Sequence, residues 1–382
     1  MKRFLPALSI FLFNLLTAPF LGRVRDALLD AFGEGFVRWL GGLLALALVL
    51  VVVAGLWRIR QRRRLRYGLL TLVVALVVLE TLVAGSGVPR VDVVEKVHFV
   101  QYGLLAAALY WALLPRGELS VPLLTMLGVT AAGTVEEWIH WWSPQRVGEV
   151  GDVWLNVYAG FCGLLAAAAF LPPASFRWRI SRERRAQVAR CAVPVVLLLA
   201  GFYHAAHVGY EIVDSEVGRF LSWHSEEELA EAGEERRLRW AVEEPGGDPW
   251  EREDRYRTEG GWHVSHRNAS LAAGRARVAW VENRILEKYF DPFLDQRPSR
   301  GEGTHRWSEE QRADVAAAAD DTGPAPGYVS PVLRGRVRPR PTAGTLWALA
   351  GTLALGLGLF GWRRPSEADA GADLPLSDSS RD

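Results

Sequence analysis

The chain has 382 residues, half of them hydrophobic and 23% charged, with a formal net charge of +1. That mixture excludes both a uniform membrane bundle and an ordinary soluble domain, and the length allows two or three domains. The balanced charge also excludes a nucleic-acid-binding surface, which carries a basic excess. Long apolar runs fill most of 1–210, a polar block covers 211–343, and one last apolar run follows. Cys162 and Cys191 both belong to or border apolar runs, so no disulfide framework is expected.

A helix needs about 20 mostly apolar residues to cross the hydrocarbon core. Eight stretches reach or approach that length: 4–21, 39–57, 68–86, 95–114, 119–138, 153–172, 191–210 and 344–362. The first, with Lys2 and Arg3 ahead of an apolar run, reads either as a span or as a signal peptide. It is counted as a span because no clean small-residue cleavage site follows Pro19. Residues 22–38 read as an amphipathic helix on the outer surface, with Leu28, Leu29, Phe32 and Phe36 as its buried stripe.

Short cytoplasmic loops collect arginine and lysine. The basic segments 58–66 and 177–190 therefore belong inside, and the other turns then alternate without conflict. Both termini become cytoplasmic, and 211–343 extracytoplasmic. Trp39, Trp57, Trp138, Trp141, Trp142, Trp154, Trp178 and Trp362 fall near span ends, where amphipathic indoles prefer the headgroup layer. The expected fold class is all-α: a polytopic transmembrane helix bundle of about eight spans, with a mainly helical extracytoplasmic domain between the last two.

The division follows the same pattern. Residues 1–67 form an N-terminal membrane segment, 68–172 a four-helix membrane domain, and 173–210 a basic cytoplasmic loop with the seventh span. Residues 211–319 form the outer helical domain, 320–343 an extended Pro/Gly-rich tether, 344–362 the last span and 363–382 a disordered cytoplasmic tail. In the outer domain, Ser225 and Glu228 make a capping box. A longer helix is expected after Asn268, whose sequon with Ser270 reads as a helix cap, with Leu271, Val278, Val281, Ile285 and Tyr289 as the apolar stripe.

Three polar interruptions share one membrane depth in this topology. Glu95, His98 and Tyr102 follow i, i+3, i+7 spacing and so share a helix face, with Lys96 beside them. Glu136 and His140 are i, i+4 neighbours, with Glu137 adjacent. Arg146 lies in the next loop, and Asp152 and Asn156 open the following span. Ionisable groups near membrane-helix ends are costly and usually pair or line a wet cavity. So many charges from two hairpins exceed what a simple clamp needs, which points to an outer-face polar pocket. Glu80 joins it from the third span, and Lys96 is expected to pair with Glu136, Glu137 or Asp152. The small residues Ala159, Gly160 and Gly163, on the face of Asn156, read as helix packing.

At these residues the sequence resembles the VanZ-like family, named after a protein associated with glycopeptide (teicoplanin) resistance. Lys96, His98, Phe99 and Tyr102 match the first part of the family pattern. Glu137, Pro144, Arg146, Asp152, Asn156 and Gly163 match the second in type and order. His140 stands where the family usually has Gln, and Ala159 where it usually has Gly. The resemblance covers roughly 68–172. It implies an integral membrane protein of the bacterial envelope without a defined reaction.

His204, His207 and Glu211 fall at i, i+3, i+7, a spacing that could present three metal ligands on one helix face. The alternative is an interfacial helix end rich in amphipathic rings, and no metal is expected. No nucleophile elbow, phosphate-cradling glycine loop or zinc-protease signature occurs, so no cofactor is expected either. The favoured function is a non-enzymatic envelope protein whose outer pocket binds a polar headgroup, such as that of a lipid-linked cell-wall component. The partners are then the lipid bilayer, that component and an envelope protein. An alternative is a membrane-embedded enzyme using Glu137 and His140 as acid and base on a lipid-linked substrate. A transporter ranks third, since no paired, Gly/Pro-broken half-helices occur at mid-membrane.

Overall fold

The computed structural model describes residues 2–84, 89–143, 148–242, 254–297 and 303–362. Apolar runs and helix propensity produce most of the regular structure. A continuous helix α1 (Leu5–Phe32) is started by Pro6 in its first turn, where the missing N–H costs nothing. It ends at Gly33, whose φ of +53° suits a residue without a Cβ. Then come α2 (Glu34–Arg58) and α3 (Arg63–Val83). The short α4 (Pro89–Glu95) gives way at Lys96 to α5 (Val97–Leu113), and α6 (Ser120–Trp142), α7 (Val150–Phe170) and α8 (Arg182–His207) come after it.

After α8 the chain turns into a hairpin of β1 (Val208–Asp214) and β2 (Gly218–Ser222). The helices α9 (Glu226–Trp240), α10 (Arg255–Ala272), α11 (Ala276–Tyr289), α12 (Asp291–Leu294) and α13 (Glu309–Ala318) come next. A two-residue strand β3 (Arg338–Pro339) precedes the last helix, α14 (Pro341–Trp362).

Among the described residues, seven helices are long and apolar enough to cross a membrane: 2–32, 35–58, 63–83, 92–116, 150–170, 182–207 and 341–362. The protein is thus largely helical and of the multi-pass membrane type. Large apolar side chains such as Leu43, Leu46, Val49, Leu50 and Val53 lie exposed along α2. In water that would be an aggregating surface; in lipid it is an ordinary helix face. The eighth expected stretch, 119–138, does form α6, but α6 is not among those seven. Its 23 residues have the length of a span. Thr125, Thr130, Thr134, Glu136, Glu137 and His140 dilute its apolar character. The threonines satisfy themselves by donating to the carbonyls of Val121, Met126 and Thr130, at 2.9, 2.9 and 2.8 Å.

The chain divides into two compact units. The first comprises 1–136, 151–200 and 348–382, and the second 137–150 and 201–347. The first has a core of Tyr102, Leu105, Ala106, Tyr110, Leu124, Val129, Ala159 and Leu164, from α5, α6 and α7. Here α5 and α7 nearly touch: a Cβ added at Gly163 would lie 2.4 Å from the Cα of Gly103. Only glycine allows that approach, as small-residue stripes do between membrane helices.

The second unit holds the β2-β1-β3 sheet. Strands β1 and β2 are antiparallel, with Ile212 opposite Phe220. Asp214 shapes their turn by accepting the amides of Glu216 and Val217 at 2.7 and 3.0 Å. The sheet packs Ile212 and Phe220 against Leu229, Tyr256, Val264, Ile285, Leu286 and Phe290. The expected capping box at Ser225 and Glu228 is present.

Four expectations need correction here. The second unit includes a small sheet, because the β-branched and aromatic run after His207 prefers an extended conformation once the helix ends. Residues 22–32 continue α1 without a break instead of forming a separate surface helix, and the break falls at Gly33. Asn268 lies inside α10 and caps nothing; the turn before α11 is made by Gly274, at φ +72°. The expected tether is folded into the unit: Val332, Leu333 and Val337 are buried, and β3 pairs with β1. The tail 363–382 lies outside the described residues.

Candidate functional site

The predicted polar residues fall in both units, seven in the first and two in the second, and Arg146 lies outside the described residues. In the first unit Glu95 closes α4 and Lys96 occupies the irregular turn into α5. That turn interrupts the continuous face expected of Glu95, His98 and Tyr102. Lys96 Nζ lies 2.8 Å from the Glu80 carboxylate on α3. Both side chains are mostly buried, at 13% and 9% exposure, so the charges gain from their pairing. The expected partners Glu136, Glu137 and Asp152 give way to Glu80, because α3 places its only acid beside the turn at Lys96.

Farther along α5, the Tyr102 hydroxyl donates to the Glu136 carboxylate, and the His98 ring stacks on Tyr102 with centroids 6.2 Å apart. Glu136 is 2% exposed. Asp152 sits half-buried in the first turn of α7, where a carboxylate favours the helix dipole. Asn156 is fully buried one turn later. Neither its amide oxygen nor its amide nitrogen has a hydrogen-bond partner among the described residues. Its side chain lies over Gly133 of α6, where an added Cβ would stand 3.1 Å from the amide nitrogen. An unsatisfied buried amide costs about 1–3 kcal/mol, which few structures tolerate without a use.

In the second unit, Glu137 Oε1 lies 2.9 Å from His140 Nδ1, and Oε2 accepts the Glu149 amide at 3.1 Å. One helical turn sets the first contact, since residues i and i+3 share a face. The carboxylate orients the imidazole through Nδ1. Both residues are essentially buried.

The histidine-rich end of α8 behaves differently from the expected ligand face. His204 and His207 close the helix, whereas Glu211 lies in β1, so the three do not share a helical face. Among the described residues no group of three His, Cys, Asp or Glu side chains could hold a metal ion. His207 instead links segments: Nε2 accepts the Val150 amide at 2.9 Å and Nδ1 faces the Arg336 carbonyl at 2.7 Å. Arg336 forms an ion pair with Glu149.

Sequence reasoning missed three buried polar clusters of the second unit. Glu259 accepts from Ser222 Oγ and the Trp223 amide at 2.7 and 2.8 Å. Glu282 meets His263 Nδ1 at 2.6 Å, Tyr328 at 2.5 Å and Ser330 at 2.7 Å. Burial would raise the Glu282 carboxyl, but the His263 ring and these donors hold it below its ordinary range. Burial likewise opposes ionisation of Asp214, yet Lys288, Tyr289 and two amides lower it well below the usual carboxylate range. The i, i+4 spacing of Glu259 and His263 was the one available signal. All three clusters tie separate segments of the second unit together.

No family model, curated protein or solved structure matches the chain.

Proposed function

We propose that this protein is a VanZ-like integral membrane protein of the bacterial cytoplasmic membrane. In this reading a polar headgroup, of a lipid-linked cell-wall component, is held at the outer face by residues of α5, α6 and α7. The single observation that carries the reading is Asn156, a buried amide with two donors and an acceptor that no group among the described residues uses. The pattern Lys96, His98, Phe99, Tyr102, Glu137, Asp152, Asn156 and Gly163 supports the family assignment. The biological context of that assignment is a contribution to glycopeptide resistance. In the proposed topology α6 is an eighth crossing, both termini are cytoplasmic, and 211–343 is extracytoplasmic, as the arginine-rich segments 58–66 and 177–190 favour.

The test is retention of lipid from a bacterial lipid extract by the purified full-length protein, read by mass spectrometry. Wild type should hold one headgroup class, and Asn156→Leu should lose it while melting at the same or a higher temperature. Equal retention by both proteins would remove the support. Topology reporters after Arg64 and Arg185 should read cytoplasmic and one after Gly261 extracytoplasmic.

The 2.9 Å contact of Glu137 with His140 favours a second reading, in which the pair serves as acid and base on a lipid-linked substrate.

A further inference from the structure

The segment leading into α14 reads RGRVRPRP, with arginine at every second position from 334 to 340. All four arginines are exposed, while Leu333 and Val337 are buried beneath them. The chain turns over 333–337, with Leu333 and Gly335 at positive φ and the Arg336 and Val337 amides bonded to the Leu333 carbonyl, and is extended only at Arg338 and Pro339. Buried Leu333 and Val337 anchor the segment to the second unit, and the four guanidinium groups are exposed on its outside.

Two of these groups are held in place by flat rings. Arg336 lies over Trp262, 4.7 Å from the ring centroid, and also pairs with Glu149. Arg340 lies over Tyr210 at 5.0 Å and donates to its hydroxyl. Arg334, Arg338 and Arg340 have no carboxylate partner among the described residues. Three cations without a carboxylate partner among the described residues, one of them braced by an aromatic ring, are therefore exposed within seven residues of one another.

The helix directly after these arginines identifies their partner. Pro341 begins a 22-residue helix long and apolar enough to cross a membrane. Trp347, partly exposed on its second turn and 3.4 Å from His204 Nδ1, has the amphipathic character that seeks the headgroup layer. Six residues of helix span about 9 Å, and Arg338 is three residues ahead of Pro341, at most about 10 Å away. Arg338 thus stands within about 20 Å of the headgroup layer, roughly two Debye lengths, and Arg340 is nearer. Guanidinium groups match phosphate oxygens bidentately and are weakly hydrated, which suits them to that layer.

We propose that Arg334, Arg338 and Arg340 form a docking patch for anionic phospholipid headgroups of the bilayer that α14 crosses. The proposal does not rest on the headgroup reading of α5, α6 and α7.

The experiment uses the full-length protein in nanodiscs of pure phosphatidylcholine or of phosphatidylcholine with 30% phosphatidylglycerol. Backbone hydrogen exchange is read over 333–343. Wild type should exchange more slowly in the anionic discs, and 0.5 M salt should abolish the difference. A basic residue near an anionic surface is worth roughly fivefold in affinity, so R334Q/R338Q/R340Q should lose at least tenfold of the protection. The corresponding lysine triple variant should keep most of it. Equal wild-type exchange in the two discs would overturn the proposal, and this result needs no variant to fold. So would full protection in neutral discs by added poly(glycerol phosphate), which would make a wall polymer the partner instead.

Discussion

The Nε2 atom of His207 accepts the backbone N–H of Val150 at 2.9 Å. Its Nδ1 faces a carbonyl oxygen, that of Arg336, and must carry the proton. Both bonds are made only by the neutral imidazole, because protonated Nε2 would point a donor at a donor. The charged groups around it are Arg255, Arg336 and Arg338, with Glu149 on the segment it holds. Lowering pH from 8 to 5 should therefore loosen 148–150. The protection factor of the Val150 amide should fall about tenfold, in line with the loss of one buried hydrogen bond. His207→Leu should start low and show no pH dependence. A Val150 amide equally protected at both pH values would contradict this.

Glu282 is expected to be an acid-sensitive carboxylate of the second unit. Its carboxyl is depressed by His263, Tyr328 and Ser330 despite burial. It therefore contributes stability above the unfolded-state value of about 4.3, and that contribution is lost as pH falls through its lower folded value. Glu282→Ala should cost about 3–5 kcal/mol at pH 7, since it strands the buried His263. The deficit relative to wild type should shrink below pH 4. Thermal melting followed by tryptophan fluorescence reads both effects.

Lys96 and Glu80 should behave as one unit. Lys96→Met leaves Glu80 buried and uncompensated, so membrane accumulation should drop, and adding Glu80→Gln should partly restore it. Rescue by Glu136→Gln or Glu137→Gln instead would mean that the pairing with Glu80 is not the one that matters.

Gly163→Val should separate α5 from α7, because its side chain would meet the Gly103 backbone, which cannot rotate away. We expect a loss of about 3 kcal/mol or more, at the upper end of overpacking. Gly151→Ala, with open space at its Cβ position, serves as the neutral control.

Much of the helical framework was legible because apolar runs of membrane length carry their own signal. The capping box at Ser225 was legible for the same local reason. α6 was legible as a helix, but its threonines and acids make it less apolar than its neighbours. The hairpin was missed because VGYEIVD directly follows a helix end whose histidines keep helical spacing. Residues 320–343 looked like a linker because Pro and Gly mask the few apolar anchors, Val332, Leu333 and Val337. Pairings proved least legible. Lys96 sits beside acids in sequence, yet its partner Glu80 comes from α3, beyond the short α4. Glu259 and Glu282 look like solvated acids until the fold buries them.

The proposed function requires that the protein retain a polar headgroup, with the Glu137 carboxylate needed and the His140 imidazole replaceable. The direct measurement is mass spectrometry of lipid retained by purified full-length wild type, His140→Gln and Glu137→Gln. Glutamine at 140 keeps a donor and an acceptor, whereas glutamine at 137 removes the charge that holds His140 and the Glu149 amide. Wild type and His140→Gln should retain the same headgroup class across pH 6 to 8, and Glu137→Gln should lose at least tenfold of it. A stable His140→Gln protein that retains none, or a wild type that shows no headgroup preference, would contradict the claim.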